Sequence, residues 1–472
     1  MAYQTINPYT NKTIHTYENA TNADIEQALA NAQARYKQWR NDPVSSRTAA
    51  LQKLADLFRD QVDELATVLT TDMGKLFTEA KGEVLLCADI AEYYAKNAER
   101  LLAPRQIKSI AGEAQLENHP LGVLLAVEPW NFPYYQMMRI FAPNYAVGDP
   151  IVYKHAANTP GAALAFEKAV IEAGAPVDAL ANLFLSYDQV ADVIADKRIV
   201  GVALTGSERG GRSVAEAAGK NLKKNTMELG GADAFVVASD ADMTQVNAIA
   251  PRARLYNCGQ VCTSSKRFIV TENHYDEFLT SLKQAFGNAK LGDPMDPQTT
   301  LAPMSSARAK EKLQQQVDAA IDAGATLYFR HDPVDSTGQF FLPTILTDIT
   351  KDNPAYYQEF FGPVAMVYKV KDDQEAIELA NDSELGLGGI VFAGNKERGA
   401  KIASQIETGM VFVNTFFSTL PELEFGGVKL SGYGREMGES GILSFANQEL
   451  VVKRDAPNDN EFGGLVAPAK YL

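Results

Sequence analysis

From Leu121 onward, short apolar runs ending in turn residues alternate with helical stretches, and no other feature restricts the chain to so few folds. The runs cover residues 121–127, 151–153, 199–204 and 234–237, with helical patterns between them at 161–173 and 213–218. Strands that are apolar throughout are buried on both faces, so the alternation predicts a doubly wound parallel sheet with helices on each side. Such sheets take ligands in the crevice beyond the carboxyl ends of their strands. The rhythm resumes at 268–270 and continues through 326–329, 366–368 and 411–413. A second α/β domain is therefore expected, within the two or three that 472 residues allow. Upstream, Leu51, Leu54, Ala55, Phe58, Val62, Leu65 and Leu69 recur at helical spacing behind Asp42-Pro43 and predict one amphipathic helix over 42–69.

Composition narrows the partners. A net charge of -15 repels phosphate on average, so neither nucleic acid nor an anionic membrane is an expected partner. No charged start followed by an apolar core opens the chain, and its apolar runs fall short of a membrane span, so a cytoplasmic location is expected. Three cysteines, Cys87, Cys258 and Cys262, suit a reducing compartment better than a disulfide framework. The five histidines lack the short spacing of zinc ligands, so no metal site is expected.

The chemistry concentrates in two short segments. Tyr256-Asn257-Cys258-Gly259-Gln260-Val261-Cys262-Thr263-Ser264 sets a thiol on a glycine-containing turn, where N–H dipoles favour the thiolate that attacks a carbonyl carbon. Met227-Glu228-Leu229-Gly230-Gly231 sets a carboxylate at the end of a short apolar run, partly desolvated and free to move. Glu128-Pro129-Trp130-Asn131-Phe132-Pro133 and the turn Thr205-Gly206-Ser207 complete the set.

These segments closely resemble the NAD(P)-dependent aldehyde dehydrogenase superfamily, over nearly the whole chain. The resemblance implies an α/β fold of two doubly wound domains plus a small β oligomerisation extension. Residues 1–105 and 120–230 would form the cofactor-binding domain and 231–443 the catalytic domain. Residues 106–119 and 444–472 would supply the extension and tail, making a homodimer or homotetramer. By the same resemblance Cys262 is the nucleophile and Glu228 the general base for the deacylating water. The side-chain amide of Asn131, with the Cys262 N–H, forms the oxyanion hole. Cys258 has no such role and reads as a packing residue that could pair with Cys262 on oxidation.

For the cofactor, the turn Gly206-Ser207, with Gly211 behind it, matches the family's pyrophosphate contact at a helix start. Lys154 matches a ribose-binding lysine. Ala157 stands where many NAD-preferring relatives carry Glu, and with Lys154 and His155 nearby the expected cofactor is NADP, with NAD a weaker substitute. Glu359 matches the residue gripping the nicotinamide ribose; Phe361, Trp130, Pro129 and Leu229 would line the cleft.

The motifs Asp72-Met73-Gly74-Lys75, Cys262–Arg267 and Ser431–Glu436 look like the succinate-semialdehyde dehydrogenase branch. Its substrate carries a terminal carboxylate. Arg139 matches an arginine used for that group in relatives, against the plainer reading of a structural ion pair. Tyr256 replaces a second such arginine, and Ser418 could add a hydrogen bond. The alternatives are a broad-specificity short-chain aldehyde dehydrogenase, a CoA-acylating enzyme, which Glu228 argues against, and a non-catalytic relative keeping the fold.

Overall fold

Strands form where the apolar runs lie, and helices fill the stretches between them. The computed structural model describes residues 3–109 and 111–455. One sheet has six strands, in spatial order Gly432–Tyr433, Lys224–Glu228, Ile199–Thr205, Val123–Val127, Ile151–Lys154 and Leu180–Asn182. All neighbours are parallel except the short Gly432–Tyr433 strand. The chain enters at Val123–Val127, steps outward twice, then returns to Ile199–Thr205 on the opposite side. That reversal opens a crevice beyond the carboxyl ends of the two central strands. Register brings Val127 level with Lys154 and Leu204, and Thr205 level with Glu228. The loops that follow these residues therefore converge on one edge.

The second sheet has seven strands, ordered Thr326–Arg330, Thr344–Thr347, Val364–Val370, Arg267–Thr271, Ala234–Val237, Gly388–Phe392 and Met410–Val413. Only the edge strand Thr326–Arg330 runs antiparallel. Helix Pro133–Val147 is buried at every residue and starts on a proline, whose missing N–H costs nothing in a first helical turn.

The expected single helix over 42–69 is two, Ser45–Asp60 and Val62–Met73, separated at Gln61 with φ -101°. Neither Pro nor Gly marks this break, so the unbroken apolar spacing concealed it. A three-stranded antiparallel sheet joins Arg105–Ile107, Glu113–His119 and Asn447–Lys453. Apart from Arg105, its strands fall in the segments expected to form the extension. Residues 456–472 of the expected tail lie outside the described residues. Among the described residues no helix is long and apolar enough to cross a membrane.

Candidate active site

Helix Met243–Leu255 ends in a turn where three successive residues, Asn257, Cys258 and Gly259, take φ values of 51°, 55° and 70°. Left-handed backbone in non-glycine residues is costly and persists only where its surroundings over-determine it. Here they do. The Asn257 N–H donates to Glu79 Oε1 at 3.1 Å and its side-chain amide to the Asn131 carbonyl at 2.8 Å. Buried Arg254 donates to the carbonyls of Gly259 at 3.0 Å and Phe360 at 2.8 Å and to Ser264 Oγ at 2.6 Å. Lys266 Nζ, fully buried, donates to the carbonyls of Val261 at 2.7 Å and Cys262 at 2.5 Å. A side chain at Gly259 would place its Cβ 2.4 Å from the Gly362 carbonyl oxygen, so only glycine fits.

The turn delivers Cys262, half-buried, to the wall of a cavity of about 400 Å³ that Phe132, Tyr135, Arg252, Tyr256, Ser418 and Phe425 also line. Burial pushes its thiol up to about 12, while Lys266 and Arg139 pull it back. At neutral pH the thiol is protonated and needs a base. Cys258 lies in a separate hydrophobic cluster with its sulfur 3.9 Å from that of Met304, and both cysteines are free.

Glu228 ends its strand 1% exposed, and neither carboxylate oxygen has a hydrogen-bond partner. Desolvation, then the charge of Glu436, push its carboxyl well above the usual range, with Arg139 and Arg435 opposing. Such a carboxyl takes up a proton readily once near thiol or water. The Gly230-Gly231 turn behind it presses on the Cys262 backbone: a Cβ on Gly231 would lie 2.4 Å from the Cys262 carbonyl oxygen. Asn131, 4% exposed, donates its side-chain amide to the Gln260 carbonyl at 3.2 Å, which sets that amide against the Cys262 turn with one N–H to spare.

Direct contact between Arg139 and the cavity is not what the structure shows. Its guanidinium is fully buried in an ion pair with Glu436, with bonds to Thr205 Oγ1 at 2.8 Å and Tyr135 Oη at 3.2 Å. It stands behind two rings of the cavity wall, 5.1 Å from the Tyr135 centroid and 4.5 Å from that of Phe425. The cation that does line the cavity is Arg252, which is exposed, has no ion pair among the described residues and stacks 4.6 Å from the Phe416 ring centroid. Tyr256 and Ser418 lie on the wall as expected; Ser418 Oγ has only a 3.4 Å bond to the Phe416 carbonyl.

At the crevice of the six-stranded sheet, Ser207 Oγ caps helix Glu208–Lys220 by accepting the Gly210 N–H at 3.3 Å. Gly206 meets only Leu204, at 3.7 Å, while a Cβ on Gly211 would press within 2.6 Å of Leu229. Open backbone at a helix start suits a phosphate, and the closely packed Gly211 brings that helix down on the strand end. Lys154 is 5% exposed with no carboxylate partner among the described residues, flanked by the rings of Tyr3 at 5.8 Å and Tyr187 at 5.5 Å. Burial lowers its ammonium to about 8. Ala157 is half-buried nearby.

His155 does not join Lys154 as a second cation. Its Nε2 donates to the Pro133 carbonyl at 3.2 Å and its Nδ1 accepts from Ala156 N and Thr159 Oγ1, both at 2.9 Å. Burial lowers it to about 4, so it is neutral and turned inward. Glu359 Oε1 accepts from the Gly231 N–H at 3.2 Å and pairs with Lys266 at 3.2 Å, tying both chemical segments together. Trp130, next to half-buried Pro129, meets Phe361 edge to face at 5.7 Å.

The profile of the aldehyde dehydrogenase family matches residues 1–451. The chain belongs to that family. Among curated aldehyde dehydrogenases, a succinate-semialdehyde dehydrogenase [NADP(+)] of Deinococcus radiodurans is 45% identical over 449 residues, 95% of this chain and 94% of the relative. One of Mycobacterium avium is 39% identical over 468 residues, 98% of this chain and 99% of the relative. The crystal structure of succinic semialdehyde dehydrogenase from Streptococcus pyogenes in complex with NADP+ superposes with a TM-score of 0.94 at 55% identity, covering 95% of this chain and 99% of that one.

Within this aldehyde dehydrogenase, sequence reasoning singled out the nucleophile, carboxylate and amide segments and missed their supports. Arg252 and Lys266 each stand close to another cation in sequence, Arg254 and Arg267, so nothing there sets them apart, the one on a helix and the other just before a strand. Glu436 was quoted in a motif without a partner. Only folding across some 300 residues sets it against Arg139.

Proposed function

We propose that the enzyme oxidises succinate semialdehyde, or a closely similar short aldehyde bearing a carboxylate, with NADP preferred over NAD. The observation that carries this reading is one cavity with the Cys262 thiol on its wall and the unpaired Arg252 guanidinium on another part of it. A thiol serves the aldehyde end of such a substrate, and a guanidinium serves its carboxylate. Lys154, buried and unpaired beside Ala157, supports NADP, because a 2′-phosphate supplies the charge that the ammonium lacks. Relatives named as NADP-dependent succinate-semialdehyde dehydrogenases support both halves.

In this reading Glu228 takes the Cys262 proton, directly or through water. The thiolate adds to the carbonyl carbon, forming the S–C bond, while Asn131 and the Cys262 N–H hold the oxyanion. The nicotinamide ring, when bound, supplies the acceptor for the hydride this carbon releases. Once Glu228 has released that first proton to solvent, it accepts one from water, whose oxygen adds to the thioester carbon, and C–S cleavage gives the acid and returns the thiolate. Gly206, Ser207 and the start of the Glu208–Lys220 helix would hold the pyrophosphate, Glu359 the second ribose, and Trp130, Phe361, Pro129 and Leu229 the cleft walls. Subunit pairing through the three-stranded sheet, as a homodimer or homotetramer in the cytoplasm, completes the proposal.

The test measures reduced-nicotinamide absorbance with succinate semialdehyde and butanal, each with NADP and NAD. Highest kcat/KM for the semialdehyde with NADP, and no turnover by Cys262→Ala, is expected. Equal kcat/KM for butanal would sink the substrate assignment.

A further inference from the structure

One motif remains without a task in that chemistry. Asp72-Met73-Gly74-Lys75 ends helix Val62–Met73 at Gly74, whose φ of 79° reverses the chain. The turn is buried at all four residues, and its two charged side chains point to different places.

Asp72 faces the segment that carries Lys154 and Ala157. Its Oδ2 accepts the Ala162 N–H at 2.7 Å, in the first turn of helix Pro160–Glu172, which begins just beyond that segment. Its Oδ1 accepts from Thr5 Oγ1 at 2.6 Å. Thr5 belongs to the strand Tyr3–Ile6, which lies across the same segment: Gln4 donates its N–H to the Ala157 carbonyl at 2.9 Å, and the Tyr3 ring flanks Lys154. The fit is close enough that a Cβ on Gly161 would sit 2.9 Å from both Asp72 oxygens.

Lys75 faces the other segment. It is 1% exposed, ion-paired with equally buried Glu83, and its Nζ lies 3.8 Å from the Phe132 ring centroid. Glu83 Oε1 accepts the N–H groups of Tyr134 at 2.9 Å and Tyr135 at 3.1 Å. These are the first amides of helix Pro133–Val147, three and four residues after Asn131. A buried ion pair is a poor source of net stability but a strong constraint on geometry, because either charge left alone is expensive.

We infer that the Asp72–Lys75 turn is a positioning device with two outputs: Lys75, through Glu83 and the Phe132 ring, aims the Asn131 amide, and Asp72, through Ala162 and Thr5, aims the 154–157 segment. This rests on the roles proposed above for Asn131 and Lys154. Asp72, Lys75 and Glu83 do not line the cavity, so each acts through another residue. The outputs are separable because they leave the turn on different side chains.

The test compares kcat at saturating cofactor, Kd for NADP by fluorescence titration, and Tm. Removing both charges together avoids a buried lone charge, so the first variant is Lys75→Met with Glu83→Leu. Its control, Lys75→Met with Glu83→Gln, restores an acceptor for the two amides. The first is expected to lose about tenfold to a hundredfold in kcat, the range of a misplaced catalytic group, with Kd within about twofold. The control should recover most of that loss. Asp72→Asn, which offers one acceptor oxygen instead of two, is expected to raise Kd about tenfold with kcat changed less than about threefold. Parallel changes in kcat and Kd in both variants, or a fall in Tm alone, would overturn the inference. Asn131→Ala and Lys154→Ala, assayed alongside, separate the two levels: if they leave kcat and Kd unmoved, the site reading itself has failed.

Discussion

Lys154 is a cation kept nearly dry with no carboxylate partner among the described residues, and His155 beside it is neutral, so in the proposed reading a single ammonium at about 8 meets the 2′-phosphate. The sign follows directly. Protonated Lys154 attracts a 2′-phosphate, whose own second proton leaves near pH ~6, so KM for NADP should be lowest between about pH 6 and 8 and rise above that window. KM for NAD should stay flat, since no phosphate meets the lysine. Ala157→Glu should reverse the preference, placing a carboxylate beside the ammonium and repelling the phosphate. Steady-state kinetics across pH with both cofactors checks each statement, and a parallel rise for NAD would refute the assignment of Lys154. At this scale the sequence was informative about Ala157, where a missing charge is visible as a letter. It was misleading about His155 and Arg139, because an imidazole turned inward and a guanidinium paired with Glu436 spell the same as free ones.

Among elements, the turn that carries Cys262 combines the most backbone strain with the most support. Gly259→Ala is expected to cost ~1–2 kcal/mol for the left-handed conformation alone, with more from the contact on the Gly362 carbonyl. Because the displaced atoms lead to the nucleophile, kcat should fall further than Tm suggests; thermal unfolding beside kcat decides this. A large drop in Tm with normal kcat in the surviving fraction would count against the turn as a positioning element. The strands of both sheets were legible because buried parallel strands are written as apolar runs. Leu180–Asn182, Lys224–Glu228, Thr344–Thr347, Gly388–Phe392 and Gly432–Tyr433 were not, being very short, mostly polar or opened by glycines. The break at Gln61 escaped for the opposite reason: the apolar spacing continues on both sides of it.

For the whole molecule, the three-stranded sheet is the surface proposed for pairing. Leu450 and Val452 are 60% and 44% exposed on one face of its strand Asn447–Lys453. Leu450→Glu should therefore shift the species seen by light scattering toward the monomer, while the cavity, built from other elements, keeps its shape. An unchanged mass would place the subunit contact elsewhere. The layout of two parallel sheets was readable from the alternation of patterns. Their meeting was not, since the Gly230-Gly231 turn packs on the Cys262 carbonyl through glycines and backbone oxygens that carry no signature.

Arg254 has a temporal consequence. Its guanidinium is satisfied by carbonyls that include Phe360, 106 positions later, and Gly362. A ribosome delivers Cys262 well before those carbonyls exist. Until then Arg254 belongs in water, and the left-handed residues it braces have no reason to hold their shape. The turn that holds Cys262 is thus among the later features to mature, because more than three-quarters of the chain must be made before the carbonyls that brace it exist.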